Sequence, residues 1–172
     1  MKKILLSVFA IVVLINYCSA QTGNNQLGIG VEANFLASNG YSSIYNTGFG
    51  GNLKGLYGVG TSGQLTLTGG YSTFSGKSGS QFGNQTLSLI PILAGYRYNL
   101  SSGLYGEAQA GLGILTTKVT GFSFSQTNFG GAINVGYVTH GLDLSVRYYT
   151  EGDVMSLFAV RVAYNFSLSG KK

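Results

Sequence analysis

Eight segments of this chain carry an apolar side chain at every second position, and Gly, Ser, Asn and Thr fill the gaps between them. A period of two is the repeat of a β-strand, whose successive side chains point to opposite faces of a sheet. Beyond the N-terminus, no segment approaches the ~18 consecutive apolar residues of a membrane helix. The pattern therefore predicts an all-β chain. What remains to decide is whether its apolar faces meet each other or meet lipid.

The segments run over Gln26–Ala37, about Gly48–Gly60, about Gln64–Phe74, about Gln85–Asn99, Leu104–Thr116, Thr127–Thr139, Leu142–Thr150 and Met155–Phe166. In the first, Leu27, Ile29, Val31, Ala33 and Phe35 oppose Gly28, Gly30, Glu32 and Asn34. The fourth is less regular: Ile90, Ile92 and Ala94 share a face, but Leu89, Pro91 and Leu93 lie opposite. Proline cannot donate a ladder hydrogen bond, so a bulge at Pro91 that shifts the parity is expected.

The charges favour lipid. Only 9% of residues are charged, about a third of the ~25% usual in soluble domains. Lys2 and Lys3 lie near the N-terminus, Lys77, Lys118, Glu151 and Asp153 fall between segments, and Lys171 and Lys172 lie in the tail. The other seven are Glu32, Lys54, Arg97, Glu107, Asp143, Arg147 and Arg161, and each lies opposite the main apolar stripe of its strand. A barrel surrounded by lipid would hold such charges inside as an ion network, and buried charges require partners. A soluble sandwich or calyx is the competing reading, but a calyx needs an apolar interior and a polar exterior.

Aromatic residues on the apolar faces form two groups. Phe35, Phe49, Tyr71, Phe129 and Tyr148 lie near one end of their strands, and Tyr57, Tyr96, Tyr98, Tyr137, Tyr164 and Phe166 near the other. Two such belts mark the two interfaces of a membrane. The connections alternate as well. Ser38–Thr47, Ser75–Asn84 and Thr117–Gln126 are long, whereas Thr61–Gly63, Leu100–Gly103 and His140–Gly141 are short. Long extracellular loops and short periplasmic turns have this asymmetry, and an even strand count then places both termini in the periplasm. The fold expected is an eight-stranded antiparallel up-and-down transmembrane β-barrel.

The hairpin Ile90-Pro91-Ile92-Leu93-Ala94-Gly95-Tyr96-Arg97-Tyr98 with Gly103-Leu104-Tyr105-Gly106-Glu107-Ala108-Gln109-Ala110-Gly111-Leu112-Gly113 resembles the central hairpin of small outer-membrane β-barrels of the OmpX, OmpW and OmpA membrane-domain type. The last segment, with Tyr164 and Phe166, resembles their terminal assembly signal, although Ser167–Lys172 follow it here. The resemblance covers essentially the whole chain after the leader. It implies a bacterial outer-membrane location, outer-membrane lipid as surroundings, and the barrel-assembly machinery as a partner during biogenesis.

The leader is read from its own residues. Lys2 and Lys3 precede the apolar run Ile4–Ile15, and small residues at Ser19 and Ala20 precede Gln21. This predicts a signal peptide over 1–20 and a barrel domain over 21–172. A retained anchor and a lipoprotein cleaved before Cys18 are the alternatives. The Ser19-Ala20-Gln21 region is similar to that of Bacteroidetes proteins. Cleavage removes the one Cys and lowers the net charge from +5 to +3, with eight basic against five acidic residues. Disulfide and thiol chemistry are then excluded. Without a Lys/Arg cluster beyond the last two residues, nucleic acid is not an expected partner.

Catalytic motifs are weak. Gly58-Val59-Gly60-Thr61-Ser62-Gly63 matches a dinucleotide fingerprint, but Gln64–Thr68 continues as a strand where a helix is required. Gly76-Lys77-Ser78 lacks the full phosphate-loop spacing. His140, the only His, falls in a short turn. Glu107 and Asp143 could form a paired-carboxylate site, but basic residues on the same faces can neutralise them. No enzyme activity, cofactor or metal is expected. An eight-stranded barrel is only just wide enough for side chains to fill. The expectation is a monomeric membrane anchor whose long loops contact an extracellular ligand. Tyr41, Ile44, Tyr45, Phe122 and Phe124 are candidates for that contact or for packing on the rim. A narrow channel or lateral transport path is the second reading, and a soluble carrier the third.

Overall fold

The computed structural model describes residues 25–77, 85–119 and 122–168. Eight strands form one closed antiparallel barrel in chain order. They are β1 (Gln26–Leu36), β2 (Gly48–Val59), β3 (Gly63–Ser75), β4 (Thr86–Ser101), β5 (Leu104–Val119), β6 (Phe122–Thr139), β7 (Leu142–Thr150) and β8 (Ser156–Ser167). β1 closes the ring by pairing with β8 from Gln26 opposite Ser167 to Leu36 opposite Leu157. Among the described residues the only helix is the six-residue α1 (Asn39–Ile44), and none is long and apolar enough to cross a membrane.

Alternation in the sequence becomes alternation in exposure. Along β8, Leu157, Ala159, Arg161, Ala163 and Asn165 are buried, while Phe158, Val160, Val162, Tyr164 and Phe166 are exposed. The same inside-outside rhythm runs through β1, β2 and β7. The short connections are tight because their residues accept left-handed backbone. Ser102 and Gly103 have φ of 43° and 96°, and His140 and Gly141 have φ of 49° and 87°. Two successive positive φ values are what a two-residue hairpin turn requires.

Pro91 does not shift the parity. β4 pairs with β5 without interruption from Thr86 opposite Lys118 to Asn99 opposite Tyr105, and the register slips only between Asn99 and Ser101. Ile90 and Ile92 therefore stay outside, and Leu89, Pro91 and Leu93 point into the lumen. The proline ring is accommodated with only local loss of pairing to β3, whose register with β4 resumes unchanged on either side of Gly70 and Tyr71.

The inward Leu89 and Leu93 join an apolar layer at the long-connection end of the lumen. Phe74, Leu87, Leu115, Tyr149, Met155 and Leu157 complete it from the strands and their ends, and Tyr45 enters it from the β1–β2 connection. The seven buried charges of the strands lie below, toward the short turns. The interior is thus two stacked layers, one apolar and one ionic.

The third long connection is also different from the expectation. β5 continues to Val119 and β6 begins at Phe122, in continuous register from Leu104 opposite Tyr137 to Val119 opposite Phe122. Most of Thr117–Gln126 is therefore an extended hairpin rather than a loop. The signal region 1–20 and the tail lysines lie outside the described residues.

Candidate functional site

The seven charges predicted to line the interior are all buried. Three carboxylates organise them. Glu107 accepts from Lys54 Nζ at 2.7 Å, Thr66 Oγ1 at 2.8 Å and Arg97 Nη2 at 3.3 Å. Asp143 accepts from the Tyr105 hydroxyl at 2.7 Å, Arg97 Nη2 at 3.1 Å and Asn165 Nδ2 at 3.2 Å, and Arg161 Nη1 lies 3.2 Å away. Glu32 accepts from Asn52 Nδ2 at 3.0 Å and Ser72 Oγ at 3.1 Å, with Arg147 Nη2 at 3.2 Å.

Neutral side chains tie these centres together. Arg161 Nε donates to Asn52 Oδ1 at 2.7 Å, and Arg147 Nε donates to Asn134 Oδ1 at 3.1 Å. Asn134 in turn donates to Gln109, and Gln109 to Thr68. The Arg97 guanidinium also sits 3.6 Å from the Tyr105 ring centroid, a cation–π contact. Removing a single charge from water costs several kcal/mol, so each ion is tolerable only because its neighbours are fixed around it.

A further carboxylate belongs to the interior. Glu151 lies in the β7–β8 connection, where the sequence pattern makes it a loop residue, yet it is 2% exposed. It accepts from the Tyr149 hydroxyl at 2.7 Å and from Asn128 Nδ2 at 2.9 Å. With Glu151 the buried charges among the described residues become four acidic and four basic. Tyr149, two residues away and facing inward, is the one sequence signal that could have pointed to it.

The rim candidates separate. Tyr45 is a packing residue: it is buried in the apolar layer, donates to Gln85 Oε1 at 3.3 Å, and stacks with Tyr41. Burial, reinforced by the neighbouring Tyr41, raises its phenol above the ordinary range. Tyr41 is partly buried against the same layer, and Ile44 is exposed. Phe122 and Phe124 are 84% and 67% exposed on the extended hairpin.

The belt residues all lie on the outer wall. Phe35, Phe49, Tyr71, Phe129 and Tyr148 are exposed at the long-connection end, and Tyr96, Tyr98, Tyr137, Tyr164 and Phe166 at the other, with Tyr57 half-buried. Tyr148 packs on Phe158, and Tyr164 on Phe166.

The residues with possible catalytic meaning are occupied structurally. Glu107 and Asp143 are enclosed by cations and by each other's partners, with no exposed side-chain surface. His140 forms the β6–β7 turn, its Nδ1 3.0 Å from Thr139 Oγ1. The glycines of Gly58–Gly63 make the β2–β3 hairpin, and Lys77 donates to the Ser42 carbonyl.

No family model and no curated protein matches this chain. Solved structures do. Ail, the attachment invasion locus protein of Yersinia pestis, solved with the heparin analogue sucrose octasulfate, superposes with a TM-score of 0.61 at 16% identity, covering 85% of this chain and 100% of its own. Neisserial surface protein A gives a TM-score of 0.55 at 19% identity, covering 83% of this chain and 97% of its own. A de novo designed transmembrane β-barrel gives 0.51 at 17% identity, with 85% and 98% covered. At these identities the likeness is one of fold. The fold is that of the small eight-stranded outer-membrane β-barrels.

Proposed function

We propose that this chain is an integral bacterial outer-membrane barrel that acts as an anchor and presents a surface for contact outside the cell. The observation that carries this reading is the division of the wall. Leu, Ile, Val and aromatic side chains cover the outside, and every strand charge except Lys118, which is exposed near the far end of β5, is enclosed inside. In water that arrangement would expose a large apolar belt. In a bilayer the same belt replaces lipid contacts at little cost, and the strands satisfy one another's backbone groups around a closed ring.

The two-layer interior supports an anchor over a conduit. An ion moving along the axis would have to displace the Lys54–Glu107–Arg97–Asp143 network and then the Leu89, Leu93, Leu115 and Tyr149 layer. The remaining parts of the proposal follow from the sequence: residues 1–20 direct export, the assembly machinery reads the Tyr164 and Phe166 end, both termini face the periplasm, and the barrel is monomeric in the bilayer. Planar-bilayer recording of the refolded barrel tests the central claim. The expected result is insertion without reproducible unitary currents. Discrete single-channel steps would replace the anchor with a transport reading, and a chain that stays monomeric in water without detergent would remove it from the membrane.

A further inference from the structure

The ladder between β3 and β4 has a gap. Gly69 lies opposite Ile92 and Ser72 opposite Leu89, so Gly70 falls opposite Pro91 and Tyr71 opposite Ile90, with the pairing broken between them. The direction of the bonds is fixed at the two ends of this ladder. Asn99 N–H donates to the Ser62 carbonyl, and Gly76 N–H to the Gln85 carbonyl. Backbone bonding in an antiparallel pair recurs at every second residue, so Gly70 also turns its carbonyl toward β4. The group facing that carbonyl is the nitrogen of Pro91, which carries no hydrogen. The Gly70 carbonyl is left without its ladder donor.

On the lumen side this spot is packed. A Cβ on Gly70 would lie 3.3 Å from the Gly51 carbonyl oxygen and 3.4 Å from both Asn52 Cβ and Pro91 Cγ. On the outer wall it is open. A Cβ on Gly69 meets nothing within 4 Å. A depression of about 430 Å³ crosses Gly30, Gly51, Gly69 and Gly70, with the exposed Ile29 and Leu53 beside it. The one polar side chain along it, Asn52, turns its amide inward to Glu32 and Arg161. Its upper end meets the aromatic belt of the long-connection end, because Tyr71 follows Gly70 and Phe49 lies two residues before Gly51. The Tyr71 hydroxyl is engaged with Ser88 Oγ at 3.1 Å.

We propose that this depression is a lipid site that takes a hydroxylated acyl chain. The hydroxyl donates to the Gly70 carbonyl just below the belt, and the hydrocarbon lies over the glycines between Ile29 and Leu53. Two requirements meet here. A void against the wall would forfeit dispersion contacts, so the depression needs hydrocarbon. A carbonyl facing hydrocarbon without a donor is costly, so the same place needs a hydrogen-bond donor. A plain acyl chain meets only the first requirement, and water meets only the second. A hydroxyl on an otherwise apolar chain meets both.

This inference rests on the membrane reading, and the experiment separates the two. The barrel is refolded into phosphatidylcholine vesicles containing equal amounts of two phosphatidylcholines, one with 3-hydroxymyristoyl and one with myristoyl chains. Native mass spectrometry then counts the lipid that stays bound on release into detergent. Wild type is expected to retain the hydroxylated lipid roughly fivefold over the plain one, the worth of one ordinary hydrogen bond. Pro91→Ala restores the ladder N–H and should bring the ratio to about one while plain lipid is still retained. Gly69→Leu fills the depression from the outer face and should abolish retention of both. Heat-modifiable gel mobility verifies that each variant is folded. Equal retention of the two lipids by wild type, or a preference unchanged by Pro91→Ala or by Gly69→Leu, would overturn the lipid site. A wild-type barrel that does not enter the vesicles would overturn the membrane reading and the site with it.

Discussion

Lys54 in β2 and Glu107 in β5 meet at 2.7 Å across the lumen, although their strands are separated in the sheet by β3 and β4. The contact crosses the barrel rather than following a ladder. It therefore exists only when the ring is closed, and it makes closure and charge pairing one event.

Glu107→Ala tests that coupling. The substitution leaves Lys54 and Arg97 buried without the carboxylate between them. Breaking a buried pair on one side costs ~3–5 kcal/mol, so the urea midpoint in detergent should fall clearly. Lys54→Met combined with Glu107→Leu should recover part of the loss, because Arg97 keeps Asp143. An unchanged midpoint for Glu107→Ala would contradict the role assigned to the network.

Two glycines on opposite faces should respond oppositely to alanine. At Gly111, facing inward, a Cβ would run into the Ile92 carbonyl oxygen and lie 3.0 Å from Leu93 Cα. Overpacking of this kind costs ~1–3 kcal/mol. At Gly69, on the outer wall, a Cβ meets nothing within 4 Å. There alanine should leave stability unchanged or raise it by ~0.5–1 kcal/mol, since glycine is entropically costly within a strand. Equilibrium unfolding of both variants checks the contrast.

The membrane position of β6 can be read by arginine substitution. Ile133 lies midway between the belt residues Phe129 and Tyr137 and faces outward. Arginine at the bilayer midplane costs ~2–4 kcal/mol, so Ile133→Arg should destabilise the barrel in liposomes. Ser125→Arg, on the projecting hairpin, should have little effect. Equal penalties at the two sites would place the membrane boundary elsewhere.

Glu151 anchors the β7–β8 connection to the wall. Glu151→Ala leaves the Tyr149 hydroxyl and Asn128 amide without their acceptor, a loss of ~1–3 kcal/mol for buried groups. Cleavage of the refolded barrel by a protease specific for Asp153 should then become faster than in wild type. An unchanged cleavage rate would show that the connection is held by Val154 and Met155 alone.

The face of the residues in the eight expected segments was legible in the sequence, because a period of two is a property of the strand itself and needs no partner, whereas the hairpin over Thr117–Gln126 was read as a loop. That alone sorts Val160 from Arg161 and Tyr148 from Arg147. It also sorts Leu89 and Leu93 inward, provided Pro91 introduces no bulge; the expectation failed there because a missing N–H can be absorbed without inserting a residue. Partners were not legible. Which cation faces Glu107 depends on the stagger of strands around a closed ring, and that stagger is fixed by all eight registers together. The buried Glu151 and Tyr45 arise from connections folding back over the mouth, and no periodicity marks them. The free edge of β6 is likewise tertiary, since it results from two adjacent strands ending at different heights. The sequence by itself determined a wall with an inside and an outside. Only the closed structure decided what meets across the inside and which part of the wall is left unpaired above it.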